Sequence, residues 1–246
     1  MSLFRSALIV SCLTLATITG MGESSIAQKS AKKAKASDYK APVCSSIPKV
    51  GTSFVNTYYL LDSAGKYVPG NVEDPKIPDD SQYVVLSGEM IDGHKNSIAF
   101  TNKFHEDTTY MSYDANGDVW LKAKRRGDKW ERLPFGLQPG KILKTKELLD
   151  TGHVMGSNYG ILTHSETQVL GMDTVNVLGK TYDCIKMQIV VYTRYDPKHH
   201  KGLEDQHYAN AMNYWYIPEI GYFGRINFGW GGSYFLNQEL KSYRPL

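Results

Sequence analysis

Residues 184–195, Cys-Ile-Lys-Met-Gln-Ile-Val-Val-Tyr-Thr-Arg-Tyr, indicate the fold more clearly than any other stretch of the sequence. The side chains alternate with a period of two, which is the pattern of a β-strand with one buried face. One face would carry Ile185, Met187, Ile189, Val191 and Tyr195. The other would carry Lys186, Gln188, Val190, Tyr192 and Arg194. We therefore predict a strand packed on one side.

Shorter runs of the same kind occur on both sides of this stretch. With 17 Tyr, 22 Gly and 12% aromatic residues, the composition favours strands and tight turns. We predict strands at 52–61, 81–91, 97–104, 110–113, 119–123, 130–133, 160–170, 173–178, 213–217, 222–228 and 234–240. Residues 141–149 fit a strand or a short helix, whereas 62–81 and 196–212 read as polar loops. The sequence predicts an all-β, antiparallel domain over 42–246 with little helix.

The first 27 residues have the three parts of a secretory signal peptide. Arg5 supplies a positive charge, residues 7–21 form an apolar run, and Ser-Ile-Ala at 25–27 offers small residues before a cleavage site. No apolar run is long enough to span a bilayer, so we expect an exported protein, periplasmic or outer-membrane associated, without a transmembrane span. The sequence Ile-Val-Ser-Cys ending at Cys12 also imitates a lipobox, and lipid anchoring there is the alternative.

The segment 28–41 is rich in Lys, Ala and Ser and reads as a flexible tail. Between residues 28 and 40 it holds five lysines and one aspartate, while the whole chain has a net charge of +3. The basic charge therefore belongs to the tail, where it favours peripheral contact with anionic lipid headgroups or peptidoglycan. The rest of the mature chain is close to neutral and has no nucleic-acid-binding motif, so we expect no nucleic-acid partner.

Two cysteines remain after signal cleavage, Cys44 and Cys184. An even pair in an oxidising compartment predicts a disulfide between them, because disulfides persist after export. Two buried free thiols are the alternative.

Four short motifs, made mostly of turn-forming residues, follow one another along the chain. They are Ile-Pro-Lys-Val-Gly-Thr-Ser-Phe at 47–54, Val-Asn-Val-Leu-Gly-Lys-Thr-Tyr-Asp-Cys-Ile-Lys at 175–186, Tyr-Trp-Tyr-Ile-Pro-Glu-Ile-Gly-Tyr at 214–222 and Glu-Leu-Lys-Ser-Tyr at 239–243. Their order resembles the exported bacterial TapB-like proteins, within the wider curved-sheet envelope proteins of the LolA/LolB type. The resemblance implies a single curved sheet, half-barrel or barrel-like, and no catalytic residues.

Two clusters of metal-ligand residue types call for an interpretation. The first contains Asp196, His199, His200, Glu204, Asp205 and His207. Its spacing matches no ligand helix, and adjacent histidines point opposite ways on a strand, so we interpret it as a solvated loop. The second is Asp114-Ala115-Asn116-Gly117-Asp118, where a calcium loop would need glycine at the position of Val119 and glutamate at the position of Arg125. We therefore predict a hairpin turn. We predict no metal and no cofactor.

No nucleophile–base–orienter set is evident, so we expect a protein that works by binding rather than by catalysis. The aromatic side chains of the C-terminal strands exceed what one buried face can hold, and partly exposed aromatics are frequent binding anchors. The predicted binding residues are Tyr192, Tyr214, Tyr216, Tyr222, Phe223 and Trp230. The expected role is an accessory or assembly subunit of an envelope apparatus, such as a secretion apparatus. The alternatives are a periplasmic carrier of lipid or lipoprotein acyl chains and a secreted hydrolase.

Overall fold

The described part of the chain forms fourteen β-strands that hydrogen-bond into one antiparallel sheet. The computed structural model describes residues 39–40, 43–64, 66–68, 79–102, 105–123, 129–154, 157–196, 198, 207–230 and 234–246. The strands are β1 Ser53–Asp62, β2 Tyr67–Val68, β3 Asp79–Ile91, β4 His94–Asn102, β5 His105–Tyr113, β6 Val119–Ala123, β7 Trp130–Leu133, β8 Ile142–Lys144, β9 Leu148–Val154, β10 Ser157–Val177, β11 Lys180–Tyr195, β12 His207–Ile217, β13 Tyr222–Trp230 and β14 Tyr234–Arg244. Among these residues no helix is long and apolar enough to cross a membrane. The predicted all-β antiparallel fold is confirmed.

Strand β1 lies in the middle of the sheet and joins its two halves. On one side β3 to β7 follow in chain order, and on the other side the order runs β14, β13, β12, β11, β10 and β8. Strand β2 pairs with β1, and β9 pairs with β10. Since β7 and β8 end the strand order without pairing to each other, the sheet is not closed. The predicted single antiparallel sheet is therefore confirmed, as one large open sheet that does not close into a barrel.

Local sequence explains most turns and one irregularity. Of the pair Asn116-Gly117 only the glycine has a positive φ, at 87°, so the β5–β6 loop is a hairpin but not of the two-residue type I′ form. The predicted strands 160–170 and 173–178 are one continuous strand, because Gly171, at φ 123°, forms a bulge where we expected a corner. The ambiguous stretch 141–149 holds β8 and the start of β9.

Both predicted polar loops contain strand residues. β2 and the start of β3 lie within 62–81, and the first six residues of β12 lie within 196–212. The loop prediction is wrong for these residues, because backbone pairing with β1 and β11 holds them in the sheet although many of their side chains are polar. The parts of both loops at 69–78 and 199–206 lie outside the described residues.

Much of the core lies against one face of β11–β13, which we call the inner face, and Tyr182, Cys184 and Trp215 are buried on the opposite face. Met187, Tyr214 and Ile226 stand side by side across these strands and define the inner face. Aromatic residues from distant segments fill the space against it, since Phe54 of β1 and Phe135, which follows β7, are fully buried. Burying such large side chains is the main source of stability in a sheet protein.

The opposite, outer face of β10–β14 carries a continuous row of amide side chains, the amide ladder. It consists of Gln168, Gln188, Asn213, Asn227 and Asn237 on five successive strands and ends at Tyr59 of β1. Neighbouring amides bond across the strands, with Gln168 Nε2 donating to Gln188 Oε1 at 3.1 Å and Gln188 Nε2 donating to Asn213 Oδ1 at 3.2 Å. The last amide, Asn237, donates to the Tyr59 hydroxyl at 2.5 Å. Directly opposed side chains of this kind stabilise strand pairing.

Candidate functional site

The predicted aromatic binding surface is mostly core. Four of its six members are buried, namely Tyr214, Tyr216, Tyr222 and Phe223. Tyr222 stacks on Phe54 with ring centroids 3.9 Å apart, and Tyr216 packs against Phe135 at 5.0 Å. The expectation that these four would be partly exposed is wrong, because residues far away in sequence cover the inner face. They cannot serve as surface anchors in this fold.

The other two predicted anchors differ. Tyr192 is half-buried on the outer face and stacks on His164 of β10, with ring centroids 4.9 Å apart. Trp230 is the last residue of β13, and its side chain lies outside the described part of the structure. A binding role for either residue stays a prediction.

The structure instead exposes four large apolar side chains at one sheet edge, which we call the apolar edge. They are Ile142 and Leu143 of β8, exposed by 52% and 42%, and Leu148 and Leu149 of β9, exposed by 67% and 51%. Both strands pair with β10, on the side where the sheet ends. The pairing places Ile142 and Leu149 on the outer face and the other two on the opposite face. Apolar groups therefore surround this edge on both faces.

Basic side chains flank the apolar edge. The charged groups are Lys141, Lys144, Lys146 and Arg194, against Glu147 and Glu166. Arg194 binds Glu147 through two bonds of 2.9 and 2.8 Å, which lowers the pKa of that carboxyl. Lys144 Nζ lies 2.6 Å from Glu166, and this bond raises the pKa of the lysine. Arg194 also interacts with the buried carboxylate of Asp196, so four cations stand against three carboxylates among the described side chains, a net charge of +1.

The edge strand is poorly suited to pairing with another strand. β8 has only three residues and is bounded by Lys141 and Lys144. Short edge strands and lysines are the devices by which proteins prevent edge-to-edge pairing. Strand β9 has seven residues and no described partner on its other side, so there the edge also presents backbone groups.

A second surface feature is a cleft of about 380 Å³ beside the β3–β4 and β5–β6 turns. Its lining residues are Gly93, His94, Lys95, Asn96, Ser112, Tyr113, Asp114, Ala115 and Trp120. It lies near the β7 end of the strand order, whereas the apolar edge lies at the β8 end. The lining is mixed, with polar groups and one indole.

The predicted disulfide is not formed, since Cys44 and Cys184 are both free thiols. The side chain of Cys184 lies on the outer face of β11, because it is four residues from Gln188 of the amide ladder and alternate residues of a strand share a face. Cys44 lies beside Tyr216, whose neighbour across the strands is the inner-face residue Ile185. The sheet therefore separates the two thiols. Burial raises the pKa of Cys184 to about 12 and also raises that of Cys44, so both favour the protonated thiol.

The hairpin interpretation of 114–118 is confirmed. Asp114 Oδ1 accepts the backbone N–H groups of Asn116 and Asp118 at 2.8 and 3.0 Å. The Asp118 carboxylate is buried and accepts from Arg132. These carboxylates are thus used by the protein itself.

The histidine-rich candidate metal cluster is largely outside the described residues. Of its six members only Asp196 and His207 lie within them, and His207 is the first residue of β12. Within the ranges that the structure describes, no group of three His, Cys, Asp or Glu residues is placed to hold a metal ion.

No protein-family model matches the chain, and no curated protein is significantly similar to it in sequence. The resemblance to TapB-like proteins thus stays an expectation. Among solved structures, a provisionally assigned lipoprotein of Parabacteroides distasonis ATCC 8503 is 13% identical with a TM-score of 0.39, over 80% of this chain and 96% of the other. The hypothetical lipoprotein YmcC of Escherichia coli K12 is 14% identical with a TM-score of 0.34, over 78% of this chain and 85% of the other.

A third neighbour is a provisionally assigned exported protein with a YmcC-like fold from Bacteroides fragilis NCTC 9343. It is 12% identical with a TM-score of 0.39, over 80% of this chain and 97% of the other. All three neighbours are described as lipoproteins or exported proteins. Likeness at this level carries no conclusion about what this chain binds.

Proposed function

We propose that this chain is a non-catalytic, exported protein of the bacterial cell envelope that acts by binding, as an accessory or assembly subunit. Its apolar edge is the docking surface, and the occupant is the headgroup region of an anionic lipid membrane. The N-terminal segment 1–27 supports export, since it has the parts of a signal peptide. One observation carries the docking proposal: four apolar side chains, 42–67% exposed, sit at one edge with a net positive charge.

Exposed leucines flanked by lysines fit an anionic membrane surface. Lysines near such a surface contribute about 1 kcal/mol each, and burying a leucine side chain fully contributes about 1.5–3 kcal/mol. The four side chains of the apolar edge are each about half exposed, so together they offer about 3–6 kcal/mol on full burial. The edge enters only the wet headgroup layer, because the open backbone groups of β8 need hydrogen-bond partners.

Docking fits the interior better than an acyl-chain carrier does. A carrier needs an apolar cavity of several hundred Å³ under the sheet. Large side chains, among them Tyr216, Phe54 and Met187, fill the described space against the inner face. The 380 Å³ cleft lies beside turns rather than under the sheet, and its lining is mixed.

Vesicle co-sedimentation tests the proposal. The protein purified from the cell is mixed with vesicles of phosphatidylglycerol and phosphatidylethanolamine, and with vesicles of phosphatidylcholine alone. We expect binding to the anionic vesicles, weakened by salt, because the lysines contribute through screened charge. The double substitution Leu148→Asn/Leu149→Asn should weaken binding at least tenfold. The matched control is Leu178→Asn, which removes a leucine 76% exposed at the distant β10–β11 turn.

Each outcome decides the proposal. Loss of binding in the double variant but not in the control supports the apolar edge as the docking surface. Equal binding of all three proteins would assign the attraction to the basic tail 28–41 or to a lipid anchor and would overturn the proposal. Binding that needs a membrane protein in the vesicles would replace lipid with a protein partner.

A further inference from the structure

The cleft beside the β3–β4 turn has an aromatic wall. The imidazole of His94 lies between two indoles, 5.3 Å from Trp120 and 4.3 Å from Trp130, and it stacks on the latter at 24°. Tyr110 continues the cluster 6.5 Å from Trp130. All four rings are half-buried, and His94 and Trp120 line the cleft itself. The wall is rigid because each ring packs on its neighbour.

Two buried hydroxyls fix the backbone of the cleft. Ser97, which is fully buried, donates to the His94 carbonyl at 2.6 Å. Ser112, also buried, donates to the Lys95 carbonyl at 2.9 Å. Both serines lie on the same face of the sheet as Trp120, and Ser112 itself lines the cleft, so these bonds fix the backbone at the cleft.

The backbone beside the cleft is a tight hairpin. Asp92 and Gly93, with positive φ values of 50° and 82°, form the two-residue type I′ turn that Asp-Gly favours. Asn96 also has a positive φ, at 52°, and is the extra residue of a β-bulge next to this turn. An ion pair between Asp92 and Lys122 helps to hold the turn.

The rim of the cleft offers hydrogen-bond groups with nearly balanced charge. Lys95 and Asn96 are exposed at the rim, and Asp114 faces the cleft from the β5–β6 turn. One cation thus stands against one carboxylate. A phosphate would require an excess of positive charge, and an acyl chain would require an apolar lining.

We propose that this cleft binds a pyranose saccharide. A pyranose ring has an apolar face of C–H groups, which can lie on the indole of Trp120, and hydroxyls around its edge, which can bond to Asn96 and Lys95. The Asp114 carboxylate instead accepts the Trp120 indole N–H at 3.4 Å and so helps to orient that ring. The volume of about 380 Å³ lies within the range of small-molecule sites. The site is independent of the apolar edge, since it lies towards the other end of the strand order.

Tryptophan fluorescence and saturation-transfer NMR test this assignment with the full protein. The probes are cellotriose, maltotriose and the trimer of N-acetylglucosamine, with sorbitol as a linear polyol that has no ring face. We expect at least one trisaccharide to give a saturable response with a Kd on the order of 1 mM or tighter, and sorbitol to give none. Ala115→Arg should weaken binding at least tenfold, because it places a long side chain in the cleft from an exposed position.

Two further variants separate binding from folding. Trp120→Ala should abolish the response, and Trp120→Phe should restore part of it, since a phenyl ring still offers an apolar face. Trp215→Phe, at a tryptophan that lines no part of the cleft, serves as the control and should bind normally. The assignment is overturned if no trisaccharide saturates, if sorbitol binds equally, or if Ala115→Arg binds like the wild type.

Discussion

Removing the buried carboxylate of Asp118 should destabilise the protein by about 3 kcal/mol, the value expected for losing charged hydrogen bonds and leaving a buried donor unpaired. The side chain of Asp118 is only 1% exposed. Its Oδ1 accepts the Gly136 N–H at 2.8 Å and its Oδ2 accepts Arg132 Nε at 2.6 Å. These bonds tie the β5–β6 turn to the segment that carries Phe135 into the core. Because Arg132 is half exposed, its freed guanidinium regains water at little cost.

Urea unfolding followed by tryptophan fluorescence measures this effect. Asp118→Ala should lower the midpoint without changing the slope, and Asp118→Asn, which keeps a neutral acceptor, should lose about 1.5 kcal/mol. Asp62→Ala is the matched control, because Asp62 also accepts two backbone N–H groups, at 2.9 and 2.8 Å, but in an exposed turn. That change should cost about 0.5 kcal/mol. If Asp118→Ala and Asp62→Ala cost the same, the buried carboxylate does not hold the two segments together.

Three other predictions concern packing and titration. Gly224→Ala should lower the free energy of unfolding by about 1–3 kcal/mol, since a Cβ there would lie 2.6 Å from Val175 Cγ2. Gly88→Ala is the control and should lower it less in the same urea assay, because its Cβ would meet nothing closer than 3.5 Å. The free energy of unfolding should fall as the pH rises past 9 to 10, because burial raises the folded-state pKa values of Cys184 and Tyr222 above their ordinary 9.0 and 10.0. A urea midpoint that does not change between pH 8 and pH 11 would contradict this. At pH 8 a disulfide-exchange reagent should label Cys184 only after unfolding, since the thiol is buried and its pKa is about 12; native labelling at the rate of a free thiol would show that the site opens.

The sequence predicts the strands well wherever the evidence is local. The alternation over 184–195 and the turn at 114–118 depend on neighbouring residues only, and both appear as β11 and the β5–β6 hairpin. Pairing between distant strands is not local. Strand parity alone places Cys184 on the Lys186 face, but nothing in the sequence shows that Cys44 would reach the opposite face of the sheet. The disulfide prediction failed for this reason.

The binding surface illustrates the same limit. Tyr216 and Tyr222 looked like surplus aromatics because their covering residues, Phe135 and Phe54, come from distant segments. The apolar edge did leave a signal, the interleaved lysines and leucines of 141–149. It fits neither helical nor strand periodicity, so the sequence alone left its structure ambiguous. An exposed leucine and a buried one are indistinguishable until the position of the sheet edge is known.

The pairing of β1 with β14 has a consequence for how the chain becomes a protein. Residues 53–62 and 234–244 lie far apart in sequence but are direct neighbours in the middle of the sheet. During synthesis β1 can pair with β3 early, but the backbone groups on its other edge stay unpaired until β14 has been made. Closing a loop of that length is slow, and the waiting strand is an aggregation hazard. A chaperone that shields β1 until β14 arrives would therefore lower this hazard.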